Sequence, residues 1–345
     1  MPEDRKSLIE KASTLHGCLG HLRLTTGRRR HETDDDELKN VDLFISDEAK
    51  IGNSKAYRTL PRKTQVFSFP RNALVRTRCA HVNEVISVSV TAANALGLNT
   101  DAVRAAAMGH DIGHVPFGHQ GEAWMAKEMG CPNFCHEVMG VIIAQYVERR
   151  GKGLNLTWQT LQAMMRHSGS MPTEHMTQEA WVLRHTDKFA YIFHDYNDIV
   201  ERHGYPVSAE IRSIVESFGR NQRQRTTTAI CGLVIESEQR GHVSFEESDL
   251  AKQFKRLRTL MYGVYESVTQ QNVQDTLGPV IECLTRLNIA DPFFLLALMN
   301  DKDVELLASR KMKDLAAFNS TTVHEIVPYL QDIGPIDLCN PGLDW

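Results

Sequence analysis

Long stretches of the chain place apolar residues three and four positions apart, whereas alternating runs of the strand type are few and short, so the pattern predicts helix over most of its length. Between residues 77 and 98, Arg78, His81, Val85, Val88 and Ala92 fall on one stripe that is otherwise apolar, which turns His81 inward. A second helix is expected from Thr100, read as its N-cap, through Val103, Ala106 and Ala107, ending on Gly109-His110-Asp111. The following segment, from Ile112 to His119, carries too much Gly and Pro to remain a regular helix and predicts a turn shaped around a site. Over residues 181–201, Asp187, Tyr191, His194 and Asp195 share one helical face, while Phe189, Ile192 and Phe193 cover other sides. A polar stripe is ordinarily a solvated face. Here Trp181 and the apolar residues around the stripe argue for a buried helix whose ionisable side lines a cavity. Breaks are expected at Gly151 to Gly153 and over 168–174, and an irregular tail from Gly334-Pro335 to Asn340-Pro341-Gly342.

No internal repeat is present. Residues 28–38 segregate basic from acidic groups and read as a solvated loop; Arg220, Arg223 and Arg225 read as a solvated helix end. With 345 residues, 42% of them apolar and 24% charged, the chain can bury a sizeable core, and disorder is not its default. The net charge of −4 gives no global basic footprint, so any polyanion must be met locally. No apolar run approaches the roughly 20 residues that span a bilayer, and the N-terminus lacks an apolar leader; a cytoplasmic protein with no membrane partner is expected. The cysteine count, seven from Cys18 to Cys339, is odd and reads as reduced thiols, with only a weak zinc signal in Cys131, Cys135 and His136.

The histidines change the picture. Ten of the 15 lie between His81 and His203. Imidazole and carboxylate together suit manganese, iron, magnesium or zinc, and a His110-Asp111 doublet needs ligands from other helices to complete a coordination sphere. His81 offers one and the Asp187 face another.

At this point the sequence resembles a known family. The order His81, His110-Asp111, Asp187 is similar to the H…HD…D signature of the HD-domain superfamily. His110-Asp-Ile-Gly-His-Val-Pro-Phe-Gly-His-Gln-Gly-Glu122 resembles the HDIGHxPFGHxGE segment of bacterial dGTP triphosphohydrolases and their relatives. Lys63-Thr-Gln-Val-Phe67, Arg76-Thr-Arg-Cys-Ala-His-Val-Asn-Glu-Val85 and Asp187-Lys-Phe-Ala-Tyr-Ile-Phe-His-Asp195 resemble three further family motifs in the expected order. The likeness covers residues 45–203 firmly and the rest loosely. Two departures bear on substrate base, regulation and assembly: Lys50 and Asn53 stand where the family commonly has Arg and His, and Val323-His-Glu-Ile-Val-Pro-Tyr-Leu330 matches the C-terminal motif only faintly.

The resemblance implies an all-α HD-domain fold, with an N-terminal segment (1–44), a phosphohydrolase core (45–205) and a C-terminal helical extension (206–345) that completes the pocket and subunit contacts. It implies metal ligation by His81, His110, Asp111 and Asp187, with Mn2+ or Mg2+ favoured over Fe2+ or Zn2+. His119 and Glu122 become the acid/base or charge-stabilising pair, and His136 a further histidine that contacts phosphate. Arg78 and Lys188 neutralise phosphate charge, Gln65, Tyr191 and Asp195 meet the deoxyribose, and Tyr265 stands in a context loosely similar to a sugar-packing tyrosine. His114, His167 and His194 read equally well as structural. The implied reaction is hydrolysis of a deoxynucleoside triphosphate to deoxynucleoside and inorganic triphosphate by a homo-oligomer, with single-stranded nucleic acid an open additional partner. The competing readings are an HD phosphodiesterase or nucleotidase on another phosphoester, and a non-catalytic nucleotide sensor or nucleic-acid-binding protein on the same scaffold.

Overall fold

The computed structural model describes residues 2–31, 41–67, 74–169, 173–268, 273–288, 290–309, 318–333 and 336–339. The expectations for residues 32–38, 170–172, 334–335 and 340–342 lie outside the described residues. The helices are α1 (Pro2–Thr14), α2 (Leu43–Gly52), α3 (Lys55–Thr59), α4 (Arg78–Leu96), α5 (Thr100–Gly109), α6 (Gly118–Glu128), α7 (His136–Ile142) and α8 (Trp158–Arg166). They continue as α9 (Gln178–Tyr196), α10 (Ala209–Phe218), α11 (Gln222–Arg240), α12 (Asp249–Val268), α13 (Gln274–Leu287), α14 (Pro292–Leu298), α15 (Asp301–Ser309) and α16 (Val327–Ile333). Among the described residues there is no strand, only isolated bridges Arg29–Thr157 and Thr64–Thr77, so the fold is all-α. No helix among them is long and apolar enough to cross a membrane.

Local chemistry sets the ends of the central helices. Gly97, at φ 81°, closes α4 in the left-handed conformation. The cap of α5 is Asn99 and not Thr100: the Asn99 side-chain oxygen accepts from the amides of Asp101 and Ala102 at 3.0 and 3.1 Å, two helix-start donors that would otherwise be orphaned. Thr177 caps α9 in the same way, accepting from Ala180 N at 3.2 Å.

Two apolar cores form. One gathers Val85, Val88 and Ala92 of α4 with Val103, Ala106 and Ala107 of α5, Phe189 and Phe193 of α9, and the inner faces of α10 to α12. The other joins Val82 and Ile112 to α7, α8, α13, α14 and α15. The chain therefore passes from one core to the other between Ala107 and Ile112, and His110-Asp111 sits at that crossing. The seam between two rigid cores is a place where polar groups are held without being solvated.

Three expectations are corrected. Arg29 is not solvated: it bridges to Thr157 and pairs with the fully buried Asp47 at 3.2 Å, with only 5% of its side chain exposed. Arg225 is also buried, donating to Gly219 O at 3.1 Å and to Asn197 Oδ1 at 2.7 Å, and lying over the Tyr196 ring. Cys131 and Cys339, 208 residues apart, are joined as a disulfide with Cα atoms 5.3 Å apart, so the all-thiol reading fails at this pair and Cys131 has no sulfur left for zinc.

Candidate active site

Helix α4 carries His81 on its buried face, α5 ends on His110 as its C-cap with Asp111 next in the chain, and α9 brings Asp187 across. All four side chains are nearly or fully buried. His81 Nε2 lies 3.1 Å from Asp187 Oδ1 and 3.7 Å from Asp111 Oδ2; His110 Nε2 lies 3.4 Å from Asp111 Oδ1 and 3.8 Å from Asp187 Oδ1. His110 Nδ1 is 2.7 Å from the carbonyl of Ala107, which only accepts, so the proton sits on Nδ1 and the Nε2 lone pair faces the carboxylates. That Nε2 is buried and has no hydrogen-bond partner. An orphaned imidazole nitrogen aimed at two carboxylates fits a divalent cation, and the donors of His81, His110 and Asp111 all lie within 4.8 Å of one another.

The electrostatics agree. Burial alone would raise Asp111, but His110 and Arg78 outweigh it and hold the carboxyl well below its ordinary range. Burial likewise opposes ionisation of Asp187, and the hydrogen bond and charge of His81 prevail to lower it. Both oxygens are thus kept anionic, as metal ligands must be. Arg78, expected to neutralise phosphate, pairs first with Asp111 Oδ2 at 2.7 Å, while its other terminal nitrogen has no partner and the residue lines the cleft.

The turn after Asp111 is shaped by close approach. A Cβ on Gly113 would stand 2.1 Å from His136 O and Gly140 N, and one on Gly121 would stand 1.9 Å from Pro116 O. Only glycine admits α7 and the turn at these separations. Phe117 adopts φ 62°, and its amide is held by Asp301 Oδ1 of α15 at 3.0 Å; Asp301 also accepts from Thr64 N at 2.8 Å. A carboxylate 184 residues away thereby presents the start of α6, with His119 exposed at the cleft and Glu122 one turn on.

Glu122, expected to act with His119, has its charge felt by His119 and is hydrogen-bonded to His136. The Glu122 carboxylate accepts from His136, at 2.9 Å from Nδ1 and 3.1 Å from the amide. Burial would lower His136, yet Glu137 and Glu122 push it up to about 9. His114 stacks on His136 with centroids 3.6 Å apart, its Nε2 3.3 Å from Asp111 Oδ1, while its backbone carbonyl accepts from buried Lys63. It braces the turn. His194 Nδ1 donates to the carbonyl of Ala190 at 2.9 Å, one turn back on its own helix.

A cleft of about 1340 Å³ opens beside these residues. Every expected site residue lines it except His110, which stands behind Asp111. Gln65 turns a buried Oε1 with no partner toward it. Asp195 accepts from Tyr265 OH at 2.8 Å and pairs with Arg76, and Tyr191 OH lies 3.5 Å from Tyr262 OH. Burial, then the neighbouring Arg184, lowers Lys188 to about 7. The sequence reading missed Arg184, Lys255 and Arg258, cations of α9 and α12 that line the same cleft, and undervalued His167, buried 3.3 Å from His136. The cations look like ordinary helix-surface charge in sequence. The only signal for His167 was its place at the end of the apolar stripe of α8, just before the Ser168-Gly169 break.

Comparison with known proteins identifies the family of the chain. The HD domain family model matches residues 78–192. The chain is 36% identical over 241 residues to a protein of Desulfatibacillum aliphaticivorans, covering 66% of this chain and 68% of that one. It is 32% identical over 263 residues to one of Caldanaerobacter subterraneus subsp. tengcongensis (76% of each chain), and 33% identical over 270 residues to one of Clostridium perfringens (75% and 78%). All three are named deoxyguanosinetriphosphate triphosphohydrolase-like protein. With its helical core, its His–Asp cluster able to hold a divalent metal, and identity of this extent, the chain belongs to the deoxyguanosinetriphosphate triphosphohydrolase-like family of HD-domain proteins.

Proposed function

We propose that this protein is a metal-dependent hydrolase that cleaves deoxynucleoside triphosphates to deoxynucleoside and inorganic triphosphate. The observation that carries the reading is the convergence of His81, His110, Asp111 and Asp187 at the floor of a cleft whose walls hold both cations and sugar-sized polar groups. A divalent ion held there, manganese or magnesium foremost, supplies Lewis acidity toward a phosphoryl oxygen and activates water.

The protein's own groups do the rest. Arg78, Arg184, Lys188 and Arg258 spread the charge of a triphosphate that must enter a partly dry cleft. His119, open to the cleft, protonates the departing ester oxygen, and His136, held by Glu122, meets a phosphoryl oxygen. Gln65 Oε1 accepts from a sugar hydroxyl; Tyr191, Asp195 and Tyr265 wall the sugar. Residues 206–345 serve the pocket through α12, which contributes Arg258 and Tyr265. With the sugar held close to the ligand cluster, attack falls on the α-phosphorus in this reading and the triphosphate leaves as one polyanion. Chromatography of the reaction in water labelled with heavy oxygen tests this: label appears in triphosphate and none in the deoxynucleoside. A dNMP or dNDP as first product refutes it and favours a phosphodiesterase or nucleotidase.

Two variants separate the roles. His119→Ala is expected to keep its metal and lose hydrolysis by roughly 10²-fold or more, the scale for an acid/base group; loss of metal would move His119 into the ligand shell. Tyr265→Ala removes a ring on the sugar wall and its bond to Asp195, so the ratio of ribonucleotide to deoxyribonucleotide turnover should rise. An unchanged ratio takes Tyr265 out of sugar selection.

A further inference from the structure

Among the described residues the large apolar side chains left exposed are Leu22, Val41, Leu43, Ile45, Leu74 and Tyr262, and of these Tyr262 alone lines the cleft, with 52% of it exposed. Two helices set its surroundings by running the same order of groups. On α12, Arg258, Tyr262 and Tyr265 fall at i, i+4 and i+7 and so share a face. On α9, Lys188, Tyr191 and Asp195 share one at i, i+3 and i+7. Each face passes from a cation to a tyrosine and then to the pair in which Tyr265 OH donates to Asp195 Oδ2 at 2.8 Å. The whole series spans about 10 Å of helix axis. The two middle tyrosines also face each other, Tyr191 OH 3.5 Å from Tyr262 OH. Charge at one end and hydroxyl with carboxylate at the other match a ligand that is anionic at one end and a sugar at the other.

We propose that the Tyr262 ring is the platform on which the nucleobase of the substrate stacks, and that it serves purines and pyrimidines alike. The inference rests on the deoxynucleoside triphosphate reading above, since it takes the sugar to lie against Tyr265. The Tyr262 and Tyr265 rings have centroids 6.0 Å apart and are inclined at 80°, so a sugar resting on Tyr265 carries its base to the neighbouring ring. Inward lie the buried ligand residues and the phosphates, which leaves the solvent side for the base, and Tyr262 is the exposed ring standing there. Stacking takes apolar ring surface of both partners out of water. Every base has a π-face, so a ring that meets faces and not edges contributes to all four alike.

The test compares substrates with and without a base. Triphosphate release by the metal-loaded protein is followed for each of the dNTPs and for an abasic deoxyribose triphosphate with hydrogen in place of the base, using wild type, Tyr262→Ala and Tyr262→Phe. Tyr262→Ala should raise the KM of every dNTP roughly 10-fold or more at nearly constant kcat, the scale for loss of one base–aromatic stack. Tyr262→Phe keeps the ring and should stay near wild type. The abasic substrate should show a high KM in wild type that Tyr262→Ala raises no further, because the lost contact is absent from it. Tyr262→Leu, which keeps apolar bulk and removes the π-face, gives the same shift if alanine disturbs the fold. Unchanged dNTP KM values in Tyr262→Ala overturn the platform, and weakened subunit association beside them would assign the ring to a contact between copies. An equal rise for the abasic substrate also overturns it and assigns the ring to the sugar or the fold; a rise confined to one base overturns the tolerance. A wild type that releases no triphosphate from any dNTP overturns this inference together with the reading it rests on, whereas dNTP hydrolysis with an insensitive KM overturns this inference alone.

Discussion

His110→Ala is expected to leave the protein without bound metal and with hydrolysis lowered roughly 10³-fold or more, since Lewis acidity and charge stabilisation at the phosphoryl group are lost together. The Nε2 of this residue is buried without a hydrogen-bond partner, 3.4 Å from Asp111 Oδ1 and 3.8 Å from Asp187 Oδ1, the placement of a metal-ligating nitrogen. Asp111→Ala should be equally inactive but less stable, because it also strips buried Arg78 of its carboxylate. His110→Gln keeps much of the volume and separates packing loss from ligand loss. Elemental analysis beside a rate measurement decides: full metal content with wild-type turnover in either alanine variant would remove these residues from the centre.

The second large effect is on stability. Arg76→Ala should cost about 3–5 kcal/mol, toward the lower end, as the loss of one partner of a buried ion cluster leaves the others uncompensated. Arg76 pairs with Glu84 at 2.7 Å, with Asp198 at 2.8 Å and with Asp195, and Asp195 and Asp198 are at most 3% exposed. Arg202, which also pairs with Asp198, and the Tyr265 hydroxyl on Asp195 relieve part of the loss. The pH dependence has a definite sign. Burial already raises Asp195 and Glu84, with Arg76 the chief opposing influence on each. Without Arg76 their folded pKa values rise further above the unfolded ones, so the penalty is full at neutral pH and fades as protons neutralise the carboxylates. Urea midpoints of variant and wild type should differ widely at about pH 7 and converge toward about pH 5. Equal midpoints at neutral pH would show that the cluster contributes nothing net.

The sequence by itself determined what depends on near neighbours. The apolar spacing around His81 settles which side of α4 is buried, because a 3.6-residue repeat has only one apolar stripe to offer a core. The adjacency of His110 and Asp111, and the glycines after them, mark a turn that must pass close to other backbone, and the structure puts that turn against α7. Asp187 and Asp195, two turns apart on α9, were legible as one face for the same reason. The cap of α5 was misplaced by one residue, since Asn99 and Thr100 both have the side chain for it and only the backbone direction chooses.

Tertiary structure alone decided the pairings. Periodicity says that a face is buried and is silent about its partner, so nothing local joins Glu122 to His136, Asp301 to the Phe117 amide, Arg29 to Asp47 or Cys131 to Cys339. The same holds for His167, whose meaning lies in what faces it across 3.3 Å. A charged or thiol side chain in sequence has many prospective partners, and a solvated one is the default; only when two cores close on each other does desolvation compel each buried group to find the particular partner that the packing has brought within reach.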